Sequence, residues 1–225
     1  MLTLDQVQLQ YGSNPVLTGL SADFPSGEIH GIVGMNGSGK TSLLRAIHGS
    51  VPVQSGQILW NTVSTHRRMV GFLETQNFFY PRITGGEYLE LFLSNYPNFD
   101  LDGWNDLFDL PLNHLIDSYS TGMKKKLAFM GLLALDRPIL ILDEPFNGLD
   151  LESNEALQQI LPKLKRPDRL ILITSHIKDT LISICNRIHL LRGGVFESSF
   201  TSSEFQQMGT LLDQQRIDQI DELLK

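Results

Sequence analysis

The sequence predicts an α/β fold whose core is a mainly parallel sheet flanked by helices. Three short, mainly apolar runs carry this prediction, because strands buried on both faces of a parallel sheet read as near-continuous apolar runs. They are IHGIVG (29–34), ILILD (139–143) and LILIT (170–174), with helical patterns between them. The first 28 residues instead alternate apolar and polar side chains around a GSNP turn, which predicts an N-terminal antiparallel β-subdomain.

The remaining elements follow from the same patterns. Apolar residues at helical spacing behind a glycine-rich loop predict a helix that ends near Gly49. Residues 57–60 and 69–72 read as short strands, and residues 84–117 as an inserted α-helical subdomain. Further along we expect helices over 119–135 and 157–164, a hairpin turned at Gly193-Gly194, and a helical tail.

We expect one domain over residues 1–225, because no linker or internal repeat divides the chain. Its parts are the β-subdomain with the first part of the core (1–83), the helical arm (84–118), the helix that the arm leads into (119–135), the rest of the core (136–202) and the tail (203–225).

Composition limits the function classes. The net charge is −7 and the one basic cluster is 124–126, which usually indicates a solvated helix face, so no nucleic acid is expected as partner. The single cysteine, Cys185, suits a reducing compartment. The sequence begins without a signal-peptide pattern and has no apolar run near the ~20 residues that span a bilayer. We therefore expect a cytoplasmic protein, with any membrane spans supplied by another chain.

GMNGSGKT (34–41) matches the phosphate-binding loop G-x-x-x-x-G-K-[ST] and lies between an apolar strand and an amphipathic helix. This predicts the P-loop nucleoside-triphosphatase form of the α/β fold. Glycines let the backbone N–H groups point at phosphate oxygens, Lys40 can reach the β- and γ-phosphates, and the Thr41 hydroxyl can bind Mg²⁺. The predicted phosphate-binding residues are Gly34, Asn36, Gly37, Ser38, Gly39, Lys40, Thr41 and Ser42.

Polar residues end the two other buried strands. Asp143 stands at the carboxyl end of its strand, where open α/β sheets bind ligands, and is predicted to serve Mg²⁺. The side chain of Glu144, the next residue, is expected to point in a different direction from that of Asp143. Glu144 is therefore a candidate general base or water-positioning group. His176 follows the next strand at the same sheet edge, where it can hydrogen-bond the γ-phosphate.

The order of phosphate loop, YSTGM (119–123), ILILDEPFNGLD (139–150) and SH (175–176) resembles the ATP-binding subunit of ATP-binding cassette (ABC) transporters over essentially the whole chain. The resemblance implies Walker A and Walker B motifs, Glu144 as the catalytic glutamate, and His176 as the switch histidine. It also implies a D-loop at Asp150 and an adenine-stacking role for Tyr11, for which a packed strand tyrosine is the alternative reading.

YSTGM stands where the family signature L-S-G-G-Q is expected. Ser120 and Gly122 keep matching positions, while Tyr119, Thr121 and Met123 depart from the pattern. The resemblance implies that Ser120, Thr121 and Gly122 contact ATP held by a partner subunit. The resulting head-to-tail dimer, of two copies or of this chain with a similar subunit, would enclose two ATP molecules.

The family's Q-loop maps less cleanly. Six residues before Pro81 the chain has Thr75 rather than glutamine, and Gln76 is one residue displaced. Gln76 is therefore one candidate, with Thr75 or Glu74 as alternatives. The aromatic residues of 77–81 and the arm around Tyr88 either dock a helix of the membrane-spanning partner or pack the arm's own core.

We therefore expect an ATPase that needs ATP and Mg²⁺ and powers transport through separate membrane chains, peripherally at the inner face of the cell membrane. The short arm resembles the exporter type, as in drug and antibiotic exporters. The alternatives are an ABC-type ATPase of a non-transport envelope complex, acting by mechanotransmission, and a non-catalytic nucleotide-binding regulator.

Overall fold

Two sheets organise the computed structural model, which describes residues 1–93 and 98–210. The strands are β1 (Leu2–Tyr11), β2 (Asn14–Phe24), β3 (Ile29–Val33), β4 (Ser55–Trp60), β5 (Val63–Ser64), β6 (Val70–Leu73), β7 (Ile139–Asp143), β8 (Leu170–Thr174), β9 (Arg187–Arg192) and β10 (Val195–Thr201). The helices are α1 (Lys40–His48), α2 (Gly85–Leu93), α3 (Leu101–Phe108), α4 (Thr121–Ala134), α5 (Leu151–Lys163) and α6 (Lys178–Ile184). Within these ranges no helix is both long and apolar enough to cross a membrane.

The larger sheet has the order β10-β9-β3-β8-β7-β6. Neighbours from β9 to β6 pair in parallel, and β10 joins β9 in an antiparallel hairpin. The smaller sheet, β2-β1-β4-β5, is antiparallel throughout. The predicted fold class, with a mainly parallel core and an N-terminal antiparallel β-subdomain, is confirmed.

Residues of β3, β7 and β8 are buried at every position because both faces of the sheet are covered. Since side chains alternate along a strand, Leu140 and Leu142 pack with α4, whereas Ile139 and Ile141 pack with α1 and the antiparallel sheet. Each such side chain contributes about 1.5–3 kcal/mol by leaving water. This double covering fixes the carboxyl edge of the sheet, from which the site is built.

Three helices differ from the sequence expectations. Helix α5 begins at Leu151 rather than at residue 157, because the Asp150 carboxylate caps it by accepting the Ser153 N–H at 2.8 Å. Helix α4 begins at Thr121, with Ser120 rather than Tyr119 at its N-terminal cap. Helix α6 was not expected, since its seven residues are too few to show a clear period.

The hairpin at Gly193-Gly194 and the helix end at Gly49 agree with prediction. Of the predicted tail, residues 205–210 are helical, and residues 211–225 lie outside the described part of the chain.

Candidate active site

The phosphate loop leaves β3 at Gly34 and enters α1 at Lys40, as the sequence predicts. Close approach requires glycine at position 34, because a Cβ there would lie 2.5 Å from the Leu191 carbonyl oxygen. At Gly39, φ is +101°, a left-handed conformation that side-chain-bearing residues rarely adopt. The loop therefore curls tightly in front of the N-terminus of α1.

Two side chains of the loop are arranged to meet an anion. The Lys40 ammonium donates to the carbonyls of Gly34 at 2.7 Å and Met35 at 3.1 Å, which holds it over the loop. Burial lowers the pKa of Lys40, while Glu144 and Asp143 act in the opposite direction. The Ser38 hydroxyl oxygen is buried and makes no hydrogen bond within the described residues, which leaves it free to bond a phosphate oxygen.

Asp143 is the junction between the loop and the neighbouring strands. Its Oδ2 accepts the Thr41 hydroxyl at 2.8 Å and its Oδ1 accepts the Thr174 hydroxyl at 2.6 Å. A hydroxyl beside a carboxylate is a hard oxygen pair of the kind that Mg²⁺ takes next to nucleotide phosphates. The donor set at Thr41 and Asp143 thus fits the predicted ion. No group of three or more His, Cys, Asp or Glu suited to a metal occurs in the described residues.

Glu144 lies beside Asp143 in a left-handed backbone conformation, with φ of +52°. Its backbone N–H donates to the Thr174 hydroxyl at 2.9 Å, and its Oε2 accepts the backbone N–H of His176 at 3.3 Å. The His176 imidazole Nε2 lies 3.0 Å from Glu144 Oε1. Burial raises the pKa of Glu144, against the lowering effect of His176. A carboxylate with a raised pKa is suited to accept a proton.

The structure therefore brings together Lys40, Thr41, Asp143, Glu144 and His176 at one edge of the sheet. Such a set can bind a triphosphate, hold a divalent cation and activate a water molecule. Glu144 is almost fully buried, whereas the His176 side chain is 51% exposed and can meet a ligand from outside.

The signature segment lies at the start of α4. Ser120 is exposed and its hydroxyl accepts the Met123 N–H at 3.2 Å. The three departures from the family pattern have internal packing roles. Tyr119 is buried and donates to the Pro111 carbonyl at 2.8 Å, the Thr121 methyl meets Gly148, and Met123 packs on the core.

Other predicted site residues are placed as follows. Tyr11 is 46% exposed at the end of β1. Thr75 donates to the Asp143 carbonyl at 3.3 Å, while Gln76 is exposed and Glu74 pairs with Arg45 at 3.4 Å. Of the three Q-loop candidates, Thr75 therefore contacts the site. Asp150 caps α5 immediately beyond the Glu144 turn.

The aromatic residues of the arm divide between the two readings. Phe79 packs on Tyr88, and Tyr88 on Phe92, each with ring centroids 5.0 Å apart, so these form the arm's own core. Burial raises the pKa of Tyr88 to about 12. Phe78 and Tyr80 instead contact each other at the surface, 76% and 59% exposed.

Sequence reasoning missed two residues beside Glu144. Thr174 hydrogen-bonds both Asp143 and Glu144. The feature of the sequence that could have indicated it is a hydroxyl residue at the end of an otherwise apolar strand. Lys125 lies in the expected solvated lysine face, and that expectation is wrong for it. Lys125 is 4% exposed and donates to the carbonyls of Glu144 at 2.8 Å and Asn147 at 2.7 Å.

Comparison with known proteins shows the family of this chain. The family model described as ABC transporter matches residues 17–147. The ABC transporter ATP-binding protein YtrB of Bacillus subtilis (strain 168) is 32% identical over 200 residues, covering 85% of this chain and 68% of YtrB.

Two solved structures have the same fold. An ATP binding subunit of an ABC transporter superposes with a TM-score of 0.86 at 25% identity, over 97% of this chain and 98% of that one. The dimeric post-hydrolysis structure of the ATP-binding cassette MJ0796 bound to ADP and Pi gives 0.79 at 23% identity, over 90% and 99%. With the family model matching more than half of its length, this chain belongs to the ABC transporter family, as an ATP-binding domain of the ATP-hydrolysing type.

Proposed function

We propose that this chain hydrolyses ATP with Mg²⁺ at the sheet edge and thereby drives transport through separate membrane-spanning chains. The observation that carries the proposal is the hydrogen-bonded series from Thr41 through Asp143 and Thr174 to Glu144 and the His176 backbone N–H, beside a complete phosphate loop. A regulator that only binds nucleotide would not need a buried carboxylate and an imidazole at that position.

The loop residues 34–42 would hold the phosphates through backbone N–H groups, with Lys40 neutralising the β- and γ-phosphates. Thr41 and Asp143 would hold Mg²⁺, which supplies charge neutralisation at the phosphate oxygens. Tyr11 would stack on the adenine.

Glu144 would orient a water molecule and accept its proton as the oxygen attacks the γ-phosphorus. The bond to the β-phosphate oxygen breaks, so the products are ADP and inorganic phosphate. His176 would hydrogen-bond the γ-phosphate and, through its contact with Glu144, keep that carboxylate in line with the water.

We place Ser120, Thr121 and Gly122 at the ATP of a partner subunit, in a head-to-tail dimer that closes on ATP and opens after hydrolysis. Support comes from the exposure of Ser120 at the start of α4 and from the dimeric form of the MJ0796 cassette with the same fold. Asp150 would lie at this interface as the D-loop residue.

The membrane partner would dock near residues 77–81 and the arm, where Phe78 and Tyr80 expose aromatic surface. The chain would then work at the cytoplasmic face of the cell membrane. Export is the proposed direction, supported by a likeness to a bacterial Atm1-family ABC exporter with ATP bound, at a TM-score of 0.85 and 19% identity. A mechanotransmission complex without a transported solute is the alternative.

The test is ATP turnover by purified protein with Mg²⁺. Wild type is expected to release phosphate, while Glu144→Gln binds ATP and turns it over at least about 100-fold more slowly, since the proton acceptor is gone. Glu155→Gln, an exposed glutamate change on α5, is the matched control and should keep the wild-type rate. Equal turnover by wild type and Glu144→Gln would contradict the proposal.

A further inference from the structure

Lys125 is a buried cation beside the proposed catalytic carboxylate. It lies in the second turn of α4, is 4% exposed, and gives two hydrogen bonds of 2.8 and 2.7 Å to the backbone carbonyls of Glu144 and Asn147. Burying an ammonium is costly unless it is well hydrogen-bonded, so an apolar residue would serve packing alone at lower cost. The observed contacts indicate a specific use for the charge and its donors.

The turn that Lys125 holds adopts a conformation that needs support. Glu144 has φ of +52°, which is uphill for a residue with a side chain. The peptide groups on both sides of Glu144 are bonded to side chains from other elements. Thr174 accepts its N–H at 2.9 Å, and Lys125 donates to its C=O at 2.8 Å. Fixing both peptides fixes the direction in which the Glu144 side chain leaves the backbone.

The same turn touches the start of α4. A Cβ on Gly148 would lie 3.0 Å from the Thr121 methyl, and a Cβ on Gly122 would lie 3.1 Å from the Gly148 carbonyl oxygen. The turn from Glu144 to Gly148 therefore packs on α4 at two levels, at Thr121 and Gly122 and again one turn later at Lys125. Helix α4 and the catalytic turn form one packed unit.

We propose that Lys125 is a positioning residue for Glu144, which fixes the catalytic carboxylate relative to the helix that begins at Ser120. This inference rests on the proposed function, because it requires Glu144 to act in hydrolysis. Within one subunit, Lys125 would rigidly connect Ser120, which contacts the ATP bound to the partner, with Glu144, which acts on the ATP bound to the same subunit.

The test compares three variants in ATP turnover. Lys125→Met keeps most of the side-chain volume and removes all donors, and Lys125→Gln keeps two N–H donors on a shorter stem. Lys124→Met makes the same charge change one residue away and is the matched control. We expect Lys125→Met to lower kcat about 10- to 100-fold with KM for ATP within about twofold, Lys125→Gln to fall in between, and Lys124→Met to match wild type.

A second measurement separates positioning from loss of structure. In a Glu144→Gln background, Lys125→Met should still give the ATP-dependent dimer in sedimentation, since Ser120 is intact. The inference is overturned if Lys125→Met, which has no side-chain N–H donors, has the same kcat as wild type. It is also overturned if Lys125→Met abolishes ATP binding and dimerisation together with turnover. Wild type no faster than Glu144→Gln would instead overturn the proposed function itself.

Discussion

At the scale of residues, the candidate site depends on polar groups that the fold removes from water. Asp143 and Glu144 are 1% and 6% exposed, yet each is bonded by neighbours from other strands and loops. Thr174 contributes to both, because one hydroxyl donates to Asp143 and accepts the N–H of Glu144. Hydrogen bonds shared among neighbouring buried groups in this way hold those groups in one geometry.

The pH dependence of turnover should report the environment of Glu144. Burial raises its pKa above the ordinary 4.5, so the protonated, inactive form persists to higher pH than for an exposed glutamate. The acidic limb of kcat should therefore have its midpoint above 4.5. His176 lowers the pKa of Glu144, so the substitution His176→Ala should raise that pKa. The acidic limb of the residual kcat of His176→Ala should therefore have its midpoint at a higher pH than that of wild type. A midpoint at 4.5 or below, measured by phosphate release, would argue against this assignment.

The motif residues of the site could be predicted from the sequence because they are local. The loop 34–41 and the pair at 143–144 are short runs whose chemistry does not depend on distant partners. Thr174 and Lys125 could not be found in this way. Their contacts with Glu144 join residues 30 and 19 positions apart, and only the packing of β8 and α4 on β7 brings them together.

At the scale of elements, α4 connects the signature segment to the inserted arm. The Tyr119 side chain, two residues before the helix begins, packs closely against Gly85 of the arm. A Cβ on Gly85 would clash with the Tyr119 hydroxyl oxygen. The same hydroxyl donates to the Pro111 carbonyl. The tyrosine in place of the family's leucine therefore bonds the start of α4 to the arm.

Tyr119→Phe should lower the free energy of unfolding by about 1 kcal/mol, because it removes one hydrogen bond and leaves the Pro111 carbonyl without that donor. For a chain of this size the expected fall in Tm is about 2–4 °C. Tyr80→Phe is the matched control, since Tyr80 is 59% exposed, and its Tm should be unchanged. Calorimetry showing equal Tm values for the two variants would contradict the role given to Tyr119.

Elements with a marked apolar pattern could be predicted from the sequence, and elements without one could not. The buried strands β3, β7 and β8 show as apolar runs because both faces are covered. The early start of α5 depends on the Asp150 cap rather than on an apolar period, since Glu152 and Asn154 in its first turn are polar. A period is visible only where one face of an element is buried along its length.

At the scale of the whole molecule, one domain carries two different surfaces of the proposed site. The phosphate loop and the carboxylates lie at the carboxyl edge of the parallel strands, and the signature serine begins a helix packed behind them. Within one chain the Glu144 turn and α4 are in direct contact. The proposed dimer uses these two surfaces reciprocally, so each ATP would be contacted by both subunits.

The proposed role of Ser120, which completes the ATP site of another subunit, is tested most directly by sedimentation velocity with ATP in a Glu144→Gln background. We expect an ATP-dependent dimer for Glu144→Gln and a monomer for Ser120→Arg combined with it, because the bulky cation would occupy the space of the partner's γ-phosphate contact. ATP binding to the monomer should be equal in both proteins. An ATP-dependent dimer that persists in the double variant would contradict the role of Ser120 at the partner's ATP.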